Sequence, residues 1–173
     1  PLVEPKAQSA LSPFLAAWQG FGREASDDAL QAALTSLRGY PASTQLWLSD
    51  LWHARFAGFT DHQLEHAFDT AELIWYGTAR EQLAVGYPED IELLTEQDEP
   101  AELAQLFHDP GARYGFFQLA DKQSEGIESF NESFWDAVWR SEIYCDSLSA
   151  LRQASVARSQ LSARPKRSHS SRR

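Results

Sequence analysis

The residues best suited to chemistry are His62, Glu65 and His66, in the order H-x-x-E-H used by one class of zinc hydrolases. On a helix, positions 62 and 66 lie one turn apart, so both imidazoles can reach one zinc ion. Glu65 could then take a proton from a metal-bound water. No third protein ligand follows at a characteristic spacing, and Leu64, Ala67 and Phe68 claim the inner side of the same helix. That leaves the two histidines and Glu65 on a solvated polar face. A zinc-dependent hydrolase using His62, Glu65 and His66 is the alternative reading. Other catalytic patterns are missing: the chain has no G-x-x-x-x-G-K-[ST] phosphate loop and no G-x-S-x-G elbow. The single cysteine, Cys145, cannot make an internal disulfide or a Cys-rich zinc site, and reads as a small buried apolar side chain. The sequence therefore predicts no catalytic residue, metal or cofactor in this chain.

Binding is the remaining kind of function, and charge decides where it can happen. The net charge of −10 hides a split. Residues 1–151 hold all 25 acids against 8 Lys/Arg, whereas residues 152–173 hold 7 Lys/Arg and no acid. An acidic body repels a phosphate backbone, so any nucleic-acid contact must be local. The candidates are Arg80, Arg140 and Arg152, with Arg164, Lys166 and Arg167 in the tail. Six tryptophans could stack on bases. At helical spacing beside Leu and Phe most of them read as core. Trp135 is the exception, set to one side of the stripe through Phe134 and Val138.

The elements that must carry these residues follow from periodicity and capping. Ser12 and Pro13 suit the start of a short helix through Trp18, which Gly20 and Gly22 end. Asp27 and Asp28 open a helix with Ala29, Leu30, Ala33, Leu34 and Leu37 on one side. A third helix spans about 44–56, apolar over a wide arc. Thr60 caps a fourth, with Gln63 completing a capping box and Leu64, Ala67, Phe68 and Ala71 facing inward. The period then changes. Leu73-Ile74-Trp75-Tyr76 and Leu83-Ala84-Val85-Gly86-Tyr87 read as two strands joined by the polar turn 77–82. Three helices followed by a hairpin is the order of a helix-turn-helix with a β-wing.

A second, shorter unit follows an acidic loop over 96–102. It predicts a helix over about 101–107, another near Tyr114 to Leu119, a longer one over 129–140, and a strand at Ile143-Tyr144-Cys145. The expected organisation is a linker over 1–11, a winged-helix-like unit over 12–97, a second over 98–153, and a basic linker or tail over 154–173. The fold class is mainly α (α+β): two tandem winged-helix-like units with short β-hairpins and a disordered basic C-terminal tail. No stretch approaches the roughly 20 apolar residues that span a bilayer. With one cysteine, the cytoplasm is the expected compartment. The opening Pro1-Leu2-Val3 carries no signal pattern and reads as the start of an excised fragment.

Several stretches resemble the C-terminal region of the large helicase-related (Lhr) family of ATP-dependent superfamily 2 DNA helicases. Phe14 to Gly20, FLAAWQG, is similar to the family's F-L-x-x-W-Q-G segment. Leu73 to Leu94, LIWYGTAREQLAVGYPEDIELL, resembles its L-x-W-x-G strand, wing and closing P-E-D-L-x-L-L. Asp109 to Leu119 and Phe134 to Arg152 resemble its second unit. Ser141 stands where the family usually has Gly, and Tyr144-Cys145-Asp146-Ser147 replaces T-N-D-T, keeping the Asp. The resemblance implies tandem winged-helix modules behind a helicase motor in cis, with DNA binding in repair or homo-oligomerisation as their task. ATP and Mg²⁺ would belong to the motor domains alone. The helix after Thr60 departs from a DNA-reading helix: it carries Asp61, Glu65, Asp69 and Glu72 where such helices present Arg, Lys, Asn or Gln. A free-standing winged-helix DNA-binding regulator is the further alternative.

Overall fold

In the computed structural model, the described residues are 7–94, 103–109, 112, 114–124 and 126–162. The acidic loop expected over 96–102 and the tail cations Arg164, Lys166 and Arg167 lie outside them. The first half is built as the apolar spacing predicts. Helix α1 (Leu11–Trp18) comes first, followed by a short strand β1 (Arg23–Glu24) and helix α2 (Asp27–Ser36). Ser12 does not cap α1, because the helix begins two residues earlier than expected, at Leu11, and its N-cap is Ala10. Ser26 caps α2 by accepting from the Ala29 amide at 3.3 Å, and Asp27 and Asp28 sit against the positive end of its dipole. The third helix passes through a π-helical stretch, Leu46–Asp50, into α3 (Leu51–Arg55). β2 (Phe56–Ala57) pairs in parallel with β1.

Helix α4 (Asp61–Thr70) has the full capping box: the Gln63 amide donates to Thr60 Oγ1 at 3.2 Å, and the Thr60 amide donates to Gln63 Oε1 at 3.0 Å. Strands β3 (Ile74–Ala79) and β4 (Gln82–Gly86) form the wing hairpin, and α5 (Pro88–Leu94) follows. The turn expected over 77–82 is shorter, because the strands continue through its ends and leave only Arg80 and Glu81 at the tip. Ala42 forms an isolated antiparallel bridge to Leu83, giving β4 a third-strand neighbour that composition did not reveal. Trp47 Nε1 donates to the Leu83 carbonyl at 2.9 Å, which fastens the π-helical stretch to β4. Leu30, Leu34, Trp52, Leu64 and Phe68 close the core beneath the hairpin.

The rest of the described chain builds onto that hairpin. Helices α6 (Phe116–Ala120), α7 (Ile127–Trp139) and α8 (Leu148–Ser162) are joined by strand β5 (Tyr144–Cys145). β5 pairs antiparallel with β3, on the edge away from β4. Among the described residues of this second region, β5 is the only strand, so a second hairpin is not seen there. The chain turns at once into α8, and Trp75 Nε1 donates to the Ser147 carbonyl at 2.8 Å to hold that turn. α7 packs on β3 through Gly77, and the stacked pair Trp135 and Trp139 and the aromatics Phe116, Phe130 and Phe134 fill the space around it. Ser141 follows α7 with a positive φ of 61°, a conformation that favours glycine, and its Oγ donates to the Gly77 carbonyl. That bond offsets the backbone cost of a serine at this position.

The tail expected from residue 154 requires correction. Leu148, Leu151, Ala154 and Ala157 are buried along one side of α8, which continues to Ser162. The Ser-, Arg- and Ala-rich composition hid this side, because two of its four inward positions are alanine. The boundary expected at 153 falls inside a helix.

Candidate nucleic-acid interface

A winged helix offers nucleic acid two elements: the exposed side of its recognition helix and the tip of its wing. In this chain those are α4 and the β3–β4 turn. On α4, Asp61, His62, His66, Asp69 and Thr70 are exposed, and Asp61 and the half-buried Glu65 both reach Arg152 of α8. Glu65 accepts from Ser147 Oγ at 2.9 Å and from Arg152 Nη1 at 3.3 Å. Its carboxylate is therefore committed to α8 and not to the two histidines. Among the described residues, no three His, Cys, Asp or Glu side chains are grouped so as to hold a metal ion. The zinc-hydrolase alternative gains no support from this geometry.

The expected cations do not converge. Arg80 lies exposed at the wing tip. Arg140 grips Glu142. Arg152 sits between Asp61 at 3.5 Å and Glu65 at 3.3 Å, with its side chain only one-fifth exposed. Sequence reasoning did not single out Arg158. Its guanidinium pairs with Glu81 of the wing turn at 2.7 Å and lies over the rings of Trp135 and Trp139, at 5.2 and 5.3 Å. Only the absence of acid after residue 151 hinted that α8 would be the basic partner of an acidic unit.

The tryptophans divide differently from the expectation. Trp135 is buried, covered by Phe134, Trp139 and Arg158, so it offers no face to a base. Trp18, expected in the core, is 72% exposed. No residue of α1 is buried. Leu11, Phe14, Leu15 and Trp18 repeat at spacings of 3 and 4 and form one uncovered apolar stripe. Gly20 and Gly22, both at positive φ, turn the chain after it, and the Gly22 amide donates to the Arg55 carbonyl at 2.8 Å. Phe21, also exposed, lies under the Arg55 guanidinium at 5.2 Å. The spacing that predicts a buried side is present, but nothing among the described residues covers it.

Burial pushes the Cys145 thiol up to about 11, and the neighbouring Asp146 carboxylate adds to the shift. The raised value disfavours the thiolate, which is the reactive form. Near pH 8, Cys145 in the folded chain should react with iodoacetamide on the order of a hundredfold more slowly than in the urea-unfolded chain, because the thiolate fraction falls tenfold per pH unit. Equal rates in the two states would show that the thiol is an ordinary exposed one.

Residues 6–95 match the family model described as Large helicase-related protein, winged-helix domain. The matched region is just over half of the chain and runs through α1, the helix-turn-helix and the wing, into α5. No curated protein matches the chain.

Proposed function

The chain belongs to the Large helicase-related protein family, and from that premise we propose that it is a non-catalytic accessory region of a superfamily 2 DNA-repair helicase, serving assembly ahead of direct reading of DNA. The observation that carries this reading is the pairing of its two surfaces. The helix that would enter a groove shows acids and histidines, and its nearest arginine is bound by carboxylates. The apolar stripe of α1, by contrast, is open.

The occupant we assign to that stripe is a second copy of the chain. Two copies each carrying −10 repel one another wherever their charged surfaces meet, but residues 7–22 contain no charged side chain. Phe14, Trp18 and Phe21 are 60, 72 and 41% exposed, so at roughly 150–250 Å² per aromatic they can add roughly 260–430 Å², a third to a half of the roughly 800 Å² per partner of a stable interface. ATP and Mg²⁺ chemistry belongs, in this reading, to motor domains in cis, and the working compartment is the cytoplasm. No helix among the described residues is long and apolar enough to cross a membrane.

Light scattering tests the assembly. The expected mass is at least twice the 19.5 kDa of one chain, and the double substitution Phe14→Asp, Trp18→Asp should return it to one copy with the fold intact by circular dichroism. A wild-type monomer across the micromolar range would overturn the assembly reading. A salt titration of DNA binding, run on the full chain and on a chain ending at Ser162, tests the tail. If residues 163–173 carry the phosphate contacts, their loss should flatten the salt dependence by roughly 0.9 per contact removed. Equal slopes would leave DNA contact to the folded body.

A further inference from the structure

We infer that α8 occupies the concavity between α4 and the wing, so that the winged helix holds a basic helix of its own chain where duplex DNA would otherwise lie. The placement follows from two arginines. Arg152 reaches Asp61 and Glu65 in the first two turns of α4, the part of a recognition helix that meets base edges in helix-turn-helix proteins. Arg158 reaches Glu81 at the wing tip. The two lie six residues apart on α8, roughly 9 Å along the axis at the helical rise. One helix therefore touches both elements that a duplex would have to touch together.

Size and charge agree with this. A major groove is about 12 Å wide and admits one helix of about 10–12 Å diameter. α4 with α8 packed beside it presents a slab of about two helix diameters, too broad to enter. Withdrawing α8 would leave Asp61, Glu65 and Glu81 facing phosphate oxygens, a repulsive arrangement. The seat is complementary to a cationic helix and not to a polyanion. It is also anchored beneath the charges. Leu148, Leu151, Ala154 and Ala157 are buried, Ser147 Oγ bonds Glu65, and Arg158 is held over Trp135 and Trp139. The Arg158–Glu81 pair, with the Glu81 side chain 64% exposed, sits at the outer rim and sets the register of α8 against the wing.

Hydrogen exchange on the full chain tests the inference, with and without a saturating 20-bp duplex. The expected result is slow exchange over 148–157 in both conditions and no change at 61–70 or 79–82 when DNA is added. Duplex that slows exchange at 61–70 and 79–82 by tenfold or more while α8 stays protected would overturn the inference, because DNA would then share the concavity with α8. A charge exchange tests the seat itself. Glu81→Arg should speed exchange over 154–160 at least fivefold, and Arg158→Glu in that background should restore it. Unchanged exchange in Glu81→Arg would also overturn the inference. Neither measurement depends on the oligomeric state, so its failure is distinct from that of the assembly reading.

Discussion

Gly77→Ala should destabilise the folded chain by about 3 kcal/mol or more, at the top of the range for overpacking, because the obstacle is backbone. A Cβ at Gly77 would overlap the Val138 carbonyl oxygen and stand 2.7 Å from its carbon and 3.0 Å from Trp139 Cα. No rotamer change can clear those atoms, since they belong to the last turn of α7. β3 and α7 must separate, which exposes Val138 and Trp139 and strains the bond from Ser141 Oγ to the Gly77 carbonyl. In a chain of this size each 1 kcal/mol is worth about 2–4 °C of melting temperature, so a fall of about 6–12 °C or more is expected. Gly86→Ala is the matched control. There the nearest atoms are side-chain ends, Tyr76 Cε1 at 3.1 Å and an Asp90 oxygen at 3.4 Å, which can shift by a few tenths of an ångström. Its cost should stay below about 1.5 kcal/mol, the level of swaps a core can absorb. Equal melting temperatures for the two variants would mean that α7 does not sit against β3 through Gly77.

The contrast between these glycines shows what was legible beforehand. The hairpin was visible in β-prone runs around a polar turn, because strand pairing between neighbours in sequence leaves a local signature. The capping box at Thr60 and Gln63 was visible for the same reason. Contacts between distant segments were not. Nothing around Ala42 marks its bridge to Leu83, and nothing in Gly77-Thr78-Ala79 announces that α7 will press on it. The aromatics failed in both directions. An apolar stripe says that a helix wants cover without saying that the chain provides it, so Trp18 was expected inside and lies outside. Trp135 was expected outside because it lies off the stripe through Phe134 and Val138, yet α7 is covered on more than one side, by α6, α8 and the hairpin. The candidate interface suffered most. Charge counting shows an acidic body and a basic C-terminal stretch, but carries no sign that the two pack together. In the fold, Arg152 and Arg158 neutralise Glu65 and Glu81 across more than 70 residues of sequence.

Leu151→Ala follows from the same point and should cost about 2–5 kcal/mol, the range for truncating a fully buried leucine. Leu151 is 0% exposed and shares its side of α8 with Leu148, Ala154 and Ala157. Val156, on the same helix, is 54% exposed, and Val156→Ala should change stability by less than about 0.5 kcal/mol. A flexible basic tail would give near-zero values for both, so the difference between the two variants separates a docked helix from a linker. Urea unfolding supplies the number and a second criterion. If α8 belongs to the same cooperative unit as α4 and the hairpin, Leu151→Ala lowers the midpoint and leaves the m-value unchanged. A reduced m-value would mean that α8 detaches before the rest unfolds. Docking also governs how the basic region can be dissected. Removing everything after Arg152 would delete Ala154, Ala157 and the Arg158–Glu81 pair, uncovering Trp135 and Trp139. Loss of DNA binding in such a chain would report an opened core, whereas a chain ending at Ser162 isolates the charges beyond the helix.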